Sequence, residues 1–121
     1  MTHGGFRDGF PRISLNFPLV DGGARAIEFI VDSGFEGDFS LPPDLLSGLD
    51  AAYAGEYPIA LADLTYRTRP LYQTLVIWQG EERVTEVIAM DGNPLIGLGI
   101  LQGNSVYMEI THGGRVEVEP L

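Results

Sequence analysis

Apolar and polar residues alternate along Arg12-Ile13-Ser14-Leu15-Asn16-Phe17, the two-residue period of a strand with one buried face. Ala26 to Val31 is a nearly continuous apolar run, and Val76–Trp78 and Val84–Met90 flank Gln79-Gly80-Glu81, which predicts a hairpin. Asp21-Gly22-Gly23 predicts a hairpin joining the first two strands. His112-Gly113-Gly114 predicts another, joining Ser105–Ile110 to Arg115–Val118. Two segments carry helix signals. Pro42-Pro43-Asp44-Leu45-Leu46-Ser47-Gly48 opens on prolines and stops at glycine, and Leu98–Gly103 is a short apolar turn before a strand. The first ten residues show no period and are expected to be ragged, even disordered. The pattern predicts an all-β chain with one or two short helices, folded as a single domain over residues 1–121.

Composition removes several function classes. There is no cysteine, which excludes disulfides, zinc-thiolate sites, iron–sulfur clusters and thiol nucleophiles. The formal charge of -10 argues against a surface that tracks phosphates, so nucleic acid is not an expected partner; Arg67 and Arg69 read as solvated strand residues. His3 and His112 lack ligand spacing, and no metal site is expected. Met1–Asp8 has no apolar core of the signal-peptide kind and no stretch reaches a membrane span, so the expected location is cytoplasmic with no membrane partner.

The segment that asks for a chemical explanation is Phe29-Ile30-Val31-Asp32-Ser33-Gly34-Phe35, where an apolar strand delivers a carboxylate into a Ser-Gly turn. An ionised carboxylate there must be solvated, paired or hydrogen-bonded, so Asp32 is either a turn-capping residue or a group that does chemistry. Ser33 as a hydrolase nucleophile is disfavoured, because no glycine stands two residues before it and no histidine is suitably sited. Gly97-Leu98-Gly99-Ile100-Leu101-Gln102-Gly103 has the look of a dinucleotide loop but lacks a surrounding βαβ unit.

Ile30-Val31-Asp32-Ser33-Gly34-Phe35, taken with Pro94-Leu95-Ile96-Gly97-Leu98-Gly99-Ile100-Leu101 and the ending Gly113–Leu121, resembles the retropepsin-like aspartic proteases, specifically the small single-domain bacterial and archaeal group. The resemblance covers most of the chain. It implies a closed acid-protease-like barrel with one Asp-Ser-Gly loop per chain, active as a homodimer on an extended peptide or protein substrate, with no cofactor. Peptide hydrolysis by this route needs two carboxylates sharing one proton, so a twofold axis would pair Asp32 with its own copy. The resemblance also implies loop-supporting roles for Ser33 and Gly34, a packing role beneath the loop for Gly97, and a flap at Leu61–Tyr66 carrying Ala62, Asp63, Leu64 and Thr65. Arg115–Glu119 is expected to join the dimer interface.

Three positions depart from the family pattern. Leu64 stands where a flap glycine is common, Gly99 where an aspartate or asparagine is common, and Leu98 where retroviral members carry an arginine that pairs with an acidic residue near the loop. Glu36 is therefore expected to lack that partner. These departures also suit an alternative, a non-catalytic dimeric β-barrel interaction or peptide-binding module of the same ancestry. A small-ligand-binding β domain is a third reading.

Overall fold

The computed structural model describes residues 1–121, the whole chain. Ten strands and two single-turn helices follow in the order β1 (Thr2–Arg7), β2 (Phe10–Pro18), β3 (Ala24–Val31), β4 (Phe39–Leu41), α1 (Pro43–Leu46), β5 (Ala52–Ala60), β6 (Tyr66–Trp78), β7 (Glu81–Ala89), β8 (Leu95–Ile96), α2 (Leu98–Leu101), β9 (Asn104–Met108) and β10 (Arg115–Pro120). The turn chemistry read from the sequence operates locally. Gln79 and Gly80 both take positive φ, 52° and 83°, and close β6 onto β7 through the two-residue turn that matches strand twist.

All ten strands form one sheet in the order β5-β6-β7-β4-β8-β3-β2-β1-β10-β9. Pairing is antiparallel except for β3 with β8 and β4 with β7. The sheet curls so that β2 packs on β6, and between the two halves lies a core centred on Phe17, Phe29 and Phe39. Their ring centroids are 4.7–5.8 Å apart in tilted and edge-on contacts, the geometry that aromatic quadrupoles favour.

The expected closed barrel does not form. β5 and β9 are both free edges, and nothing hydrogen-bonds one to the other. Closure requires the first and last strands to pair, and β5 is ill suited to it, with Pro58 inside the strand and a register shift between Tyr53 and Gly55.

The first ten residues also differ from expectation. Thr2–Arg7 is a strand between β2 and β10, with Thr2–Gly5 paired to β10 and Gly4–Arg7 to β2. Its order comes from backbone pairing, not from an apolar face. Gly4 permits an approach so close that a β-carbon there would lie 1.9 Å from the Arg12 carbonyl oxygen, so the glycine that hides the strand from periodicity is what lets it pack. No helix is long and apolar enough to cross a membrane.

Candidate functional site

Asp32 is delivered by β3, whose last residues Ile30 and Val31 are buried. The strand's parallel pairing with β8 extends one residue into the loop. The Ile30 amide donates to the Pro94 carbonyl at 2.9 Å and the Asp32 amide to that of Ile96 at 3.0 Å, so the Asp32 backbone is fixed by the sheet. Its side chain is half-buried, and Oδ1 accepts the Gly34 amide at 2.8 Å. Oδ2 has no partner within the chain, nor does the exposed Ser33 hydroxyl.

Beneath the loop, three successive amides point upward. Gly97 donates to the Asp38 carbonyl at 2.9 Å, Leu98 to Phe35 at 2.8 Å and Gly99 to Gly37 at 3.0 Å. Gly97 itself is enclosed. A β-carbon there would sit 2.4 Å from the Gly37 oxygen and 2.5 Å from the Phe35 oxygen.

No side chain stands at Gly99, and the carboxylate beside it is that of Asp38. Its Oδ2 accepts the Thr85 hydroxyl at 2.9 Å and the Glu86 amide at 3.1 Å. A β-carbon at Gly99 would lie 2.6 Å from its Oδ1. Sequence reasoning passed over Asp38. The available signal was the small-residue pair Gly97 and Gly99 set against a carboxylate just before a buried strand, which only the fold connects.

Leu61–Thr65 forms the tip of the β5–β6 hairpin. The Leu61 amide donates to the Thr65 carbonyl at 2.8 Å and the Leu64 amide to that of Leu61 at 3.0 Å. Asp63 Oδ1 accepts the Thr65 hydroxyl at 2.6 Å and the Thr65 amide at 3.1 Å. These bonds, the hydroxyl's first, hold the Asp63 carboxyl below its ordinary value of 3.8. Leu64 is 89% exposed and has φ of 68°, the left-handed region where glycine is at ease. Ala62 is likewise exposed at the tip.

The hairpin faces the Asp32 loop across a cleft of about 310 Å³. One wall is Gly34, Phe35 and Glu36; the other is the hairpin's stem, Tyr57–Ala60 with Tyr66. Ala62, Asp63, Leu64 and Thr65, the expected flap, do not line it.

On the other side of the loop is a second depression of about 380 Å³, in which Ser33 and Val31 meet Leu98, Leu101, Val106 and Met108. This groove runs along β9, an edge strand with no proline, bulge or charge. The far end of β9 is stapled to β10 by Glu109, whose carboxyl is held below the usual range by the Arg115 amide and then by its guanidinium. Arg115–Glu119 has no free edge, because β10 is bonded to β1 on one side and β9 on the other. At this end of the sheet the free edge belongs to β9.

His3 and His112 line neither cavity, and no group of three or more His, Cys, Asp or Glu side chains converges as a metal site. Neither a scan against protein-family models nor searches of curated proteins and of solved structures returned a match.

Proposed function

We propose that this chain is an aspartic endopeptidase that works as a homodimer, with one Asp32 from each copy. The observation that carries the reading is the state of Asp32. A carboxylate ends a buried strand, its backbone is pinned by β8, one oxygen is held by Gly34, and the other is unbonded within the chain. The loop lies between a cleft of about 310 Å³ and an apolar groove that contains Ser33.

In this reading a second copy docks along β9 and the groove, with Leu98 and Met108 as its apolar contacts, and the loops meet at the twofold axis. The edge strand Asn104–Met108 is uncharged, so antiparallel pairing with its own copy sets no like charges opposite each other in a chain of net charge -10.

The chemistry then follows from two carboxylates close enough to share one proton. The ionised Asp32 takes a proton from a water while the protonated one gives its proton to the peptide carbonyl oxygen. The water oxygen bonds to the carbonyl carbon and a tetrahedral diol forms. Collapse of the diol breaks the C–N bond, with one carboxyl supplying the proton that the leaving amine needs. An extended peptide in the cleft would run beside the hairpin stem as an added strand.

The test is cleavage of a mixed peptide library across acidic to neutral pH, with sedimentation of the same samples. Asp32→Asn should lower the rate by about 10²- to 10⁴-fold, the usual contribution of general acid–base catalysis, while the dimer persists. A chain that sediments as a monomer at every concentration, or an Asp32→Asn variant as active as the parent, would refute the proposal.

A further inference from the structure

Glu36 stands in the wall of the cleft beside the Asp32 loop and is the one charged residue among the 9 that line it. Six of the others are hydrophobic, and Tyr57 and Tyr66 present aromatic rings on the facing hairpin. The neighbouring carboxylates all have work within the chain. Asp32 accepts Gly34, Asp38 accepts Thr85 and Glu86, and Asp63 accepts Thr65. Glu36 accepts no hydrogen bond, and none of the ion pairs, which gather on Arg7, Arg12 and Arg115, includes it.

The cations of the facing hairpin, Arg67 and Arg69 on β6, do not supply a partner. Arg69 turns back onto its own strand, donating to the Thr68 carbonyl at 3.0 Å, and neither it nor Arg67 lines the cleft. Leu98, packed beneath the loop through its bond to Phe35, brings no charge.

We infer that Glu36 selects the substrate: the cleft takes an extended peptide carrying a lysine or arginine whose cation meets the Glu36 carboxylate, set among apolar side chains. This rests on the proposed reading of the cleft as the peptide site. A basic side chain suits both walls at once, since its long apolar stem covers Phe35 and Ile59 while its head reaches a carboxylate beside tyrosine faces. In an extended peptide, side chains two apart share a face, so the basic residue falls at one fixed position relative to the scissile bond. In a symmetric dimer the same preference recurs on the other side of that bond.

The experiment scans Lys, Gln and Glu through each position of one apolar peptide. Binding is measured by fluorescence anisotropy in an Asp32→Asn background, and cleavage is measured with Asp32 intact. Glu36→Gln and Glu36→Lys are compared with Glu82→Gln, an exposed carboxylate on β7 that lies outside the cleft.

At one position the parent should prefer Lys over Glu by about fivefold, the scale of a solvent-exposed ion pair. Glu36→Gln should bring this ratio to about one, Glu36→Lys should invert it, and Glu82→Gln should leave it in place. A preference that weakens equally in Glu36→Gln and Glu82→Gln would be the field of an acidic protein, and would overturn the inference. So would a cleft that binds none of the peptides. Lys-selective binding that follows Glu36 without any cleavage would uphold the inference and refute hydrolysis; cleavage without selectivity would do the reverse.

Discussion

Gly97→Ala adds one methyl group at the point where the Asp32 loop rests on the chain beneath it. The backbone at Gly97, φ -115° and ψ -177°, is open to any residue, so the effect is purely one of space. The new carbon would meet the Gly37 and Phe35 oxygens at 2.4 and 2.5 Å, whereas even close C···O contacts lie at about 3.3 Å. The loop must therefore rise by about 1 Å. Those same two carbonyls accept the Gly99 and Leu98 amides at 3.0 and 2.8 Å, and a shift of that size breaks both bonds.

Overpacking costs about 1–3 kcal/mol and each lost hydrogen bond about 0.5–1.5 kcal/mol. The stiffer unfolded chain returns about 0.4–1 kcal/mol. The net destabilisation centres on about 3 kcal/mol. At about 2.1 cal/mol/K of unfolding entropy per residue, 121 residues convert this to a drop of about 12 °C in Tm. Calorimetry of Gly97→Ala against the parent measures it. Gly5→Ala is the control, a strand glycine whose added carbon would find its nearest atom at an ordinary 3.7 Å. It should stay within about 0.5 kcal/mol of the parent. A Gly97→Ala protein that melts with the parent would show that the loop does not rest on residue 97.

Two further predictions concern the hairpin tip. Leu64→Gly should be neutral to stabilising by about 0.5–1 kcal/mol in urea unfolding, because relief of the left-handed backbone slightly outweighs the added freedom of glycine in the unfolded chain; a loss above about 1 kcal/mol would mean that Leu64 packs against something. The Asp63 carboxyl is held lower in the folded chain than in the unfolded one, so its contribution is complete above 3.8 and is lost as pH falls through the lower folded value. Thr65 amide exchange should lose protection only in that acidic window, and Asp63→Asn should remove the pH dependence; a flat profile in the parent would refute the linkage.

Where a side chain's environment is set by its own strand, the sequence spoke clearly. Ile13, Leu15 and Phe17 point inward as their alternation predicts, the Gln79-Gly80 turn closes the hairpin, and β3 ends at Val31, one residue before Asp32. What stayed hidden depends on partners distant in the chain. The pairing of β1 was invisible because Gly4 and Gly5 carry no pattern. Barrel closure was assumed from resemblance, and strand order left two edges. Asp38 looked like one acid among many until the fold brought Thr85 and Glu86 to it from 47 and 48 residues away. The hairpin tip at Leu61–Thr65 is legible from its turn residues, whereas the part of the stem that lines the cleft, Tyr57–Ala60, is decided by how the sheet curls.

The unequal edges of the sheet bear on how large an assembly can become. Two copies joined edge to edge along β9 would use up the strand that invites pairing and leave the two β5 strands outermost, where Pro58 lacks an amide to give and the irregularity at Tyr53 and Gly55 spoils the register for a newcomer. Growth by a head-to-tail route, β9 of one copy onto β5 of the next, has no geometric stopping point and is how sheet proteins become fibres. In the proposed dimer a single proline and one displaced residue would thus act as a terminator, limiting the assembly to a particle of fixed size.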